Sequence, residues 1–154
     1  MSDSNNLPTE IPIFPLSNFI IFPRTTVPLN IFEPRYIQMI NDSMKTNRII
    51  GMIQPKKTGD LNKPDLYNIG CTGKITSFNE TEDGRYLIVL NGITRFKVTE
   101  EISTKKLYRI CKVNYKFFLK DLNQEKENIK FSNSEIFFKD LKKFFEKQGY
   151  AINW

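Results

Sequence analysis

Apolar residues in the first quarter of the chain come in short bursts between prolines. Residues 11–36 read IPIFPLSNFIIFPRTTVPLNIFEPRY and hold five of the eight prolines and no glycine. Proline donates no backbone hydrogen bond, so it belongs at sheet edges, bulges and turns. The bursts at 11–14, 19–22 and 27–32 predict short strands with sharp corners, which suit a small curved sheet or barrel better than a flat sheet. Val27, Leu29 and Ile31 alternate with Pro28, Asn30 and Phe32, so one face of that strand should be buried. Glu33-Pro34 predicts a helix start with Pro34 at the first helical position. Tyr36, Ile37, Ile40 and Met44 then supply an apolar stripe at spacings of three and four.

The pattern continues with a short strand at 49–53 and a polar loop at 54–65, QPKKTGDLNKPD. Strands follow at 72–78 and 85–90, joined by a hairpin loop ending in Asp83-Gly84. Asn91-Gly92 predicts another turn. Phe96 and Val98 alternate with lysine and threonine, and 107–115 reads as a long strand with apolar groups on both sides. Residues 120–130 form a charged connector. A helix is predicted over 134–148: Ser132-x-x-Glu135 fits a capping box, and Gly149 fits the stop. Phe137, Leu141, Phe144 and Phe145 line one face of it, widened by Phe138.

Several of these segments carry a family likeness. Pro12-Ile13-Phe14-Pro15-Leu16, Phe22-Pro23, Pro28-Leu29 and Ile31-Phe32-Glu33-Pro34-Arg35-Tyr36 resemble the opening of the LON domain. That domain is the N-terminal substrate-binding domain of the Lon ATP-dependent proteases and also occurs as a stand-alone bacterial protein. The Ile-Phe-Glu-Pro-Arg-Tyr form is most similar to the stand-alone and cereblon-like members. Ile69-Gly70-Cys71-Thr72-Gly73-Lys74-Ile75 resembles a further strand of the family, with Cys71 inserted beside its small residues. Asp83-Gly84-Arg85, Val89-Leu90-Asn91-Gly92 and Thr94-Arg95-Phe96 resemble its hairpin and the strand after it. The resemblance runs in order from Ile11 to Tyr115.

The resemblance implies an α+β protein: a PUA-like β pseudobarrel of about six short strands, with one helix inserted after the third, and then a C-terminal helical appendage. The expected division is a flexible tail over 1–10, the β domain over 11–118, and over 119–154 the connector and first helix of a truncated bundle. In the family further helices follow, whereas this chain stops at Trp154. The apolar face of Phe137, Leu141, Phe144 and Phe145 is therefore expected to be under-covered and to favour self-association.

Composition narrows the chemistry. The chain has 154 residues, 40% of them hydrophobic and 13% aromatic, which suits one folded domain with an appendage. No window approaches the roughly 20 apolar residues that span a bilayer, and the polar N-terminus lacks the pattern of a signal peptide. A cytoplasmic protein is expected, with Cys71 and Cys111 as reduced buried thiols. The net charge of +6 permits an RNA partner, but the basic residues are mostly lysines spread among acids, which reads as a solvated surface.

There is no histidine, which removes histidine-assisted nucleophiles, histidine metal ligands and the usual general base. Gly70-Cys71-Thr72-Gly73-Lys74 is not a phosphate loop, because Asn68 and Ile75 occupy the required glycine and hydroxyl positions. Glu80, Glu82 and Asp83 read as a solvated hairpin tip before a cation site. No catalytic residue, cofactor or metal is expected, and the resemblance implies the substrate-recognition part of Lon without its ATPase and serine–lysine protease modules. The expected function is a non-enzymatic module that engages unfolded or misfolded polypeptides, or a protease, chaperone or adaptor partner. Phe19, Phe22, Phe32 and Tyr36, at a proline-broken corner, are the candidate peptide-binding residues. RNA binding, or a fragment without independent activity, are the alternatives.

Overall fold

One strand of seventeen residues organises the β domain of this computed structural model, which describes residues 6–123 and 134–149. In chain order the elements are β1 (Glu10–Pro15), β2 (Thr26–Ile31), α1 (Pro34–Met44), β3 (Ile49–Ile53), β4 (Pro55–Asp60), β5 (Lys63–Leu66), β6 (Ile69–Glu80), β7 (Tyr86–Ile102), β8 (Arg109–Asn114), a 3-10 helix (Lys116–Leu122) and α2 (Ser134–Lys147). The chain divides into two compact units, Met1–Asn123 and Gln124–Trp154. In the main sheet the strands run β2-β7-β6-β3-β1-β8, and β8 pairs back onto β7. Five strands thus close into a ring, with β2 added outside it along the first half of β7. Among the described residues only β1 and β3 pair in parallel. The expected α+β pseudobarrel is present.

The long β7 pairs with β6 along one edge and with β2 and then β8 along the other, and it bulges in the middle. Its residues 86–91 pair with β2, and its end pairs with β8. Opposite β6 the register steps from Thr72↔Thr94 to Gly73↔Gly92, leaving Ile93 as an extra residue. Such a bulge bends a strand and sharpens its twist. The turn expected at Asn91-Gly92 is therefore a bend inside one strand. Glycine is needed there because a Cβ at Gly92 would stand 2.0 Å from the carbonyl oxygen of Phe22. The backbone of that loop rests directly on β7: Arg24 N–H donates to the Gly92 carbonyl (2.9 Å), and Gly92 N–H donates to that of Thr25 (2.8 Å).

Apolar side chains bury on both sides of the ring wall. Inside, Ile11, Ile13, Phe96, Cys111 and Val113 form one cluster with Ile49 and Ile53. Phe96 presses against β3 and β6 at Gly51 and Gly70, where an added Cβ would come within 3.0 Å and 2.5 Å of its ring. Outside, α1 lays Tyr36, Met39, Ile40 and Ser43 against the sheet, with Ile37 and Met44 half-buried at its flanks. β3 lies between the two clusters, so all five of its residues are buried. Pro34 opens α1 as predicted, and the Glu33 carbonyl accepts from Tyr36 and Ile37 N–H. The Glu33 carboxylate makes no cap and pairs with Arg35 at 2.9 Å.

Three local expectations change. Residues 19–22 form no strand, so α1 follows the second strand and not the third. The polar stretch 54–65 is an ordered hairpin, β4 against β5, pinned to the ring by Arg109, whose Nη1 donates to the Pro64 carbonyl at 2.6 Å. Where a frayed tail is expected, Leu7 packs on the interior cluster, Tyr115 Oη–H donates to the Pro8 carbonyl, and Glu10 begins β1. The Asp83-Gly84 hairpin is as predicted, with Gly84 at φ +81°. In the second unit α2 ends at Lys147, and Gly149 follows it, also at φ +81°. Ser132 and most of the charged connector lie outside the described residues.

Candidate functional site

Strand alternation sorts the β3–β6–β7 rows into inward and outward ones. Gly51, Thr72 and Thr94 are paired across one row, and the two threonines are fully buried. The next row, Met52, Cys71 and Arg95, faces out of the ring. Ile69 and Lys97 are paired two residues further along on that same outer face. The loop between β1 and β2 crosses this face. It turns Ile21 inward (3% exposed) and leaves Ile20 and Phe22 outward (59% and 60%). Thr25 fixes its end, donating from Oγ1 to the Phe22 carbonyl at 2.6 Å and accepting from Phe22 N–H at 3.2 Å. Asn18 and Arg24 take left-handed backbone, φ +57° and +63°.

Between this loop and the entry to β6 lies an open groove of about 420 Å³. Phe19, Ile20, Ile21 and Phe22 form one wall, and Tyr67, Asn68, Ile69 and Gly70 the other. Met52, Ile53, Gln54, Cys71 and Arg95 complete it. Tyr67 and Ile69 are each 52% exposed, so both rims offer large apolar groups to solvent. Contiguous exposed apolar surface of this kind marks binding sites more often than accident.

Among the described residues Arg95 is the one formally charged group lining the groove. Its guanidinium grips Asp121 with two bonds of 2.9 Å, and its backbone N–H donates to the same carboxylate at 3.0 Å. It also stands over the Phe118 ring at 4.6 Å. Arg95 holds the Asp121 carboxyl below the usual carboxylate range. Arg95 thus braces the sheet from its rim, as a planar fork does well. Burial, helped by the Asp121 charge, pushes the Cys71 thiol up to about 12, so it is a neutral wall group and no nucleophile. Both cysteines are free and buried, as expected.

The four aromatic candidates do not share one surface. Phe19, half-buried, and Phe22 line the groove. Phe32 is exposed (64%) beneath Arg85, 6.0 Å from its ring, and is not among the groove residues. Tyr36 is core: it is 6% exposed, and its ring centroid lies 4.1 Å from that of Phe14. Burial raises its phenol above the ordinary value. Ile20, Tyr67 and Ile69 are the groove residues the sequence did not single out. Within α2, Phe137 and Phe144 are exposed while Leu141 and Phe145 are half-buried. At the hairpin tip Asp83 pairs with Arg85 at 3.0 Å. Among the described residues no cluster of three metal-ligating side chains occurs, and no helix is long and apolar enough to cross a membrane.

The sequence matches the family model for the ATP-dependent protease La (LON) substrate-binding domain over residues 10–153. The Lon protease of Flavobacterium johnsoniae is 30% identical over 103 residues, covering 66% of this chain and 13% of that protein. The Lon protease of Cytophaga hutchinsonii is 26% identical over 125 residues, covering 80% of this chain and 15% of the relative. The chain therefore spans only a small part of these proteins. Among solved structures, a Lon N-terminal domain protein from Xanthomonas campestris superposes with a TM-score of 0.58 at 25% identity, covering 70% of this chain and 60% of that one. The N-terminal domain of a Mycobacterium avium complex Lon protease gives 0.56 at 13% identity, covering 91% and 69%, which is a likeness of fold.

Proposed function

The chain belongs to the LON substrate-binding domain family, and from that premise we propose that it is a non-enzymatic module that holds unfolded polypeptide segments in the groove beside β7. The observation that carries this reading is the rim itself: Ile20, Phe22, Tyr67 and Ile69 stand half or more exposed around a hollow whose lining also includes the buried Ile21, Met52, Ile53 and Cys71. Apolar side chains of an unfolded segment lose water contact there without a fixed sequence being demanded. Each good contact is worth about 1–2 kcal/mol, so single segments bind weakly and several together bind better. The candidate site is thereby moved from the corner of Phe19, Phe22, Phe32 and Tyr36 to Phe19, Phe22 and the residues facing them. Partner identity, whether client, protease or chaperone, is read no further than this chemistry.

The test is anisotropy of a labelled, reduced and carboxymethylated test protein that stays unfolded in buffer. Ile20→Ser, Phe22→Ser and Tyr67→Ser should each weaken binding about tenfold, the equivalent of about 1.4 kcal/mol, while Phe32→Ser should not. Being surface changes, all should leave stability within about 0.5 kcal/mol. Binding unchanged by all three groove variants would overturn the assignment.

A further inference from the structure

Resting on that reading of the groove, we infer that its preferred occupant is an apolar segment flanked by acidic residues. The groove is mainly apolar, and among the described residues none that lines it is a carboxylate. Its borders are cationic. On one side Lys56 places its ammonium 5.8 Å from the Tyr67 ring centroid. Along the outer face of β7, Lys97 stands directly across from Ile69. The Lys97 ammonium lies 5.3 Å from the ring of Phe117, which is 70% exposed, so the apolar strip continues beneath the lysine stem. Neither lysine has a carboxylate partner within salt-bridge distance among the described residues. Arg95 lies two residues before Lys97 on the same outer face of β7, its side chain half exposed, and Asp121 engages only one edge of its guanidinium.

This pattern selects by charge as well as by apolar contact. Cations beside a low-dielectric groove focus a positive potential into it. A segment with Asp or Glu beside its apolar residues gains charge-assisted contacts with these cations. A segment flanked by lysine meets like charge there, and such a repulsive element adds to the discrimination. The apolar centre supplies most of the affinity, and the flanks decide among clients.

The experiment uses the full chain and three labelled peptides sharing one Phe-Leu-Phe centre, flanked by aspartate, serine or lysine. At low salt the order should be aspartate, serine, lysine, with about tenfold between the extremes, and the spread should shrink at high salt as the charges are screened. The double variant Lys56→Glu, Lys97→Glu alters exposed residues only, and its circular dichroism should match the parent. It should reverse the order, with the serine-flanked peptide staying between the other two. If the three peptides bind the parent alike, the charge inference is overturned and the groove reading stands. If none binds, the groove reading falls with it. If a uridine oligonucleotide displaces the aspartate-flanked peptide from Lys56 and Lys97 at equal concentration, the cations serve nucleic acid and the inference is likewise overturned.

Discussion

The two faces of the β6–β7 ladder are built from alternate residues of the same strands, and they do opposite things. Inward, Thr72, Thr94 and Phe96 are 0% exposed and close against Gly51 and Gly70. Outward, Cys71 and Arg95 underlie a groove whose rims are half exposed. A difference of one residue in register separates a dry, jigsaw-packed interior from a surface that lacks a partner. The interior is specific because every ring and methyl has one place to go. On the proposed reading the groove is permissive because the apolar side chains of its rims stand half exposed.

The largest expected effect breaks the inner face. Phe96→Ala leaves a cavity against two glycines that cannot fill it, and should lower stability by about 3–5 kcal/mol, read from urea unfolding. Tyr36→Ser, in the outer cluster under α1, should fall in the same range. Phe32→Ser, an aromatic position four residues earlier, should lie within about 0.5 kcal/mol of the parent. Equal effects at 32 and 36 would sink the division of these aromatics into surface and core.

Much of this division was legible and some was not, for identifiable reasons. Val27, Leu29 and Ile31 announced a half-buried strand because alternation is a local property. Pro34 announced α1 for the same kind of reason. The apolar run 19–22 read as a strand because Ile21 inward with Ile20 and Phe22 outward is the same signal whether or not a neighbouring strand supplies a ladder. Gln54 to Asp65 read as a loop because its prolines, glycine and lysines weaken strand propensity. What orders it is Arg109, more than forty residues away, gripping Glu101 by two bonds of 2.8 Å and the Pro64 carbonyl by a third. Asn91-Gly92 read as a turn because a turn and a bulge over a crossing loop both call for glycine. Tyr67 and Ile69 were invisible as site residues, since only tertiary pairing places them opposite Phe22.

An intermediate effect sharpens the comparison at the point where the loop meets the ladder. Gly92→Ala puts a Cβ into the Phe22 carbonyl, so the loop must lift from β7. Overpacking of this kind should destabilise by about 1–3 kcal/mol. Because the loop carries one wall of the groove, peptide binding should fall well beyond what the loss of stability explains. Ala at Gly84, where nothing lies within 4 Å but φ is +81°, is the control: it strains a hairpin tip and should leave binding intact. Matching binding losses in both variants would mean that the groove does not depend on this loop.

The smallest effect is one of pH, and it too divides the faces, because the inner face has nothing to titrate in acid. On the outside, Asp121 is held below the usual carboxylate range by Arg95, Glu101 by Arg109, and Asp42 by Lys106 together with Tyr108. A carboxylate whose folded pKa is depressed stabilises the fold fully above its unfolded value of about 4, and that stability is lost as pH falls through the folded pKa. The chain has no histidine, the side chain whose ordinary pKa lies between about pH 5 and 8, and burial raises both thiols. The melting temperature should therefore be flat across that window and should fall below about pH 4. The pairs are partly solvated, so each contributes modestly and less at high salt. Asp121→Asn removes the groove-side share of this acid limb and leaves that of Glu101 and Asp42. It should lower the neutral-pH melting temperature slightly and make its decline in acid shallower. Asp121→Asn with an unchanged acid limb would mean that the Arg95–Asp121 pair stabilises nothing, and that the groove wall is held by its apolar contacts alone.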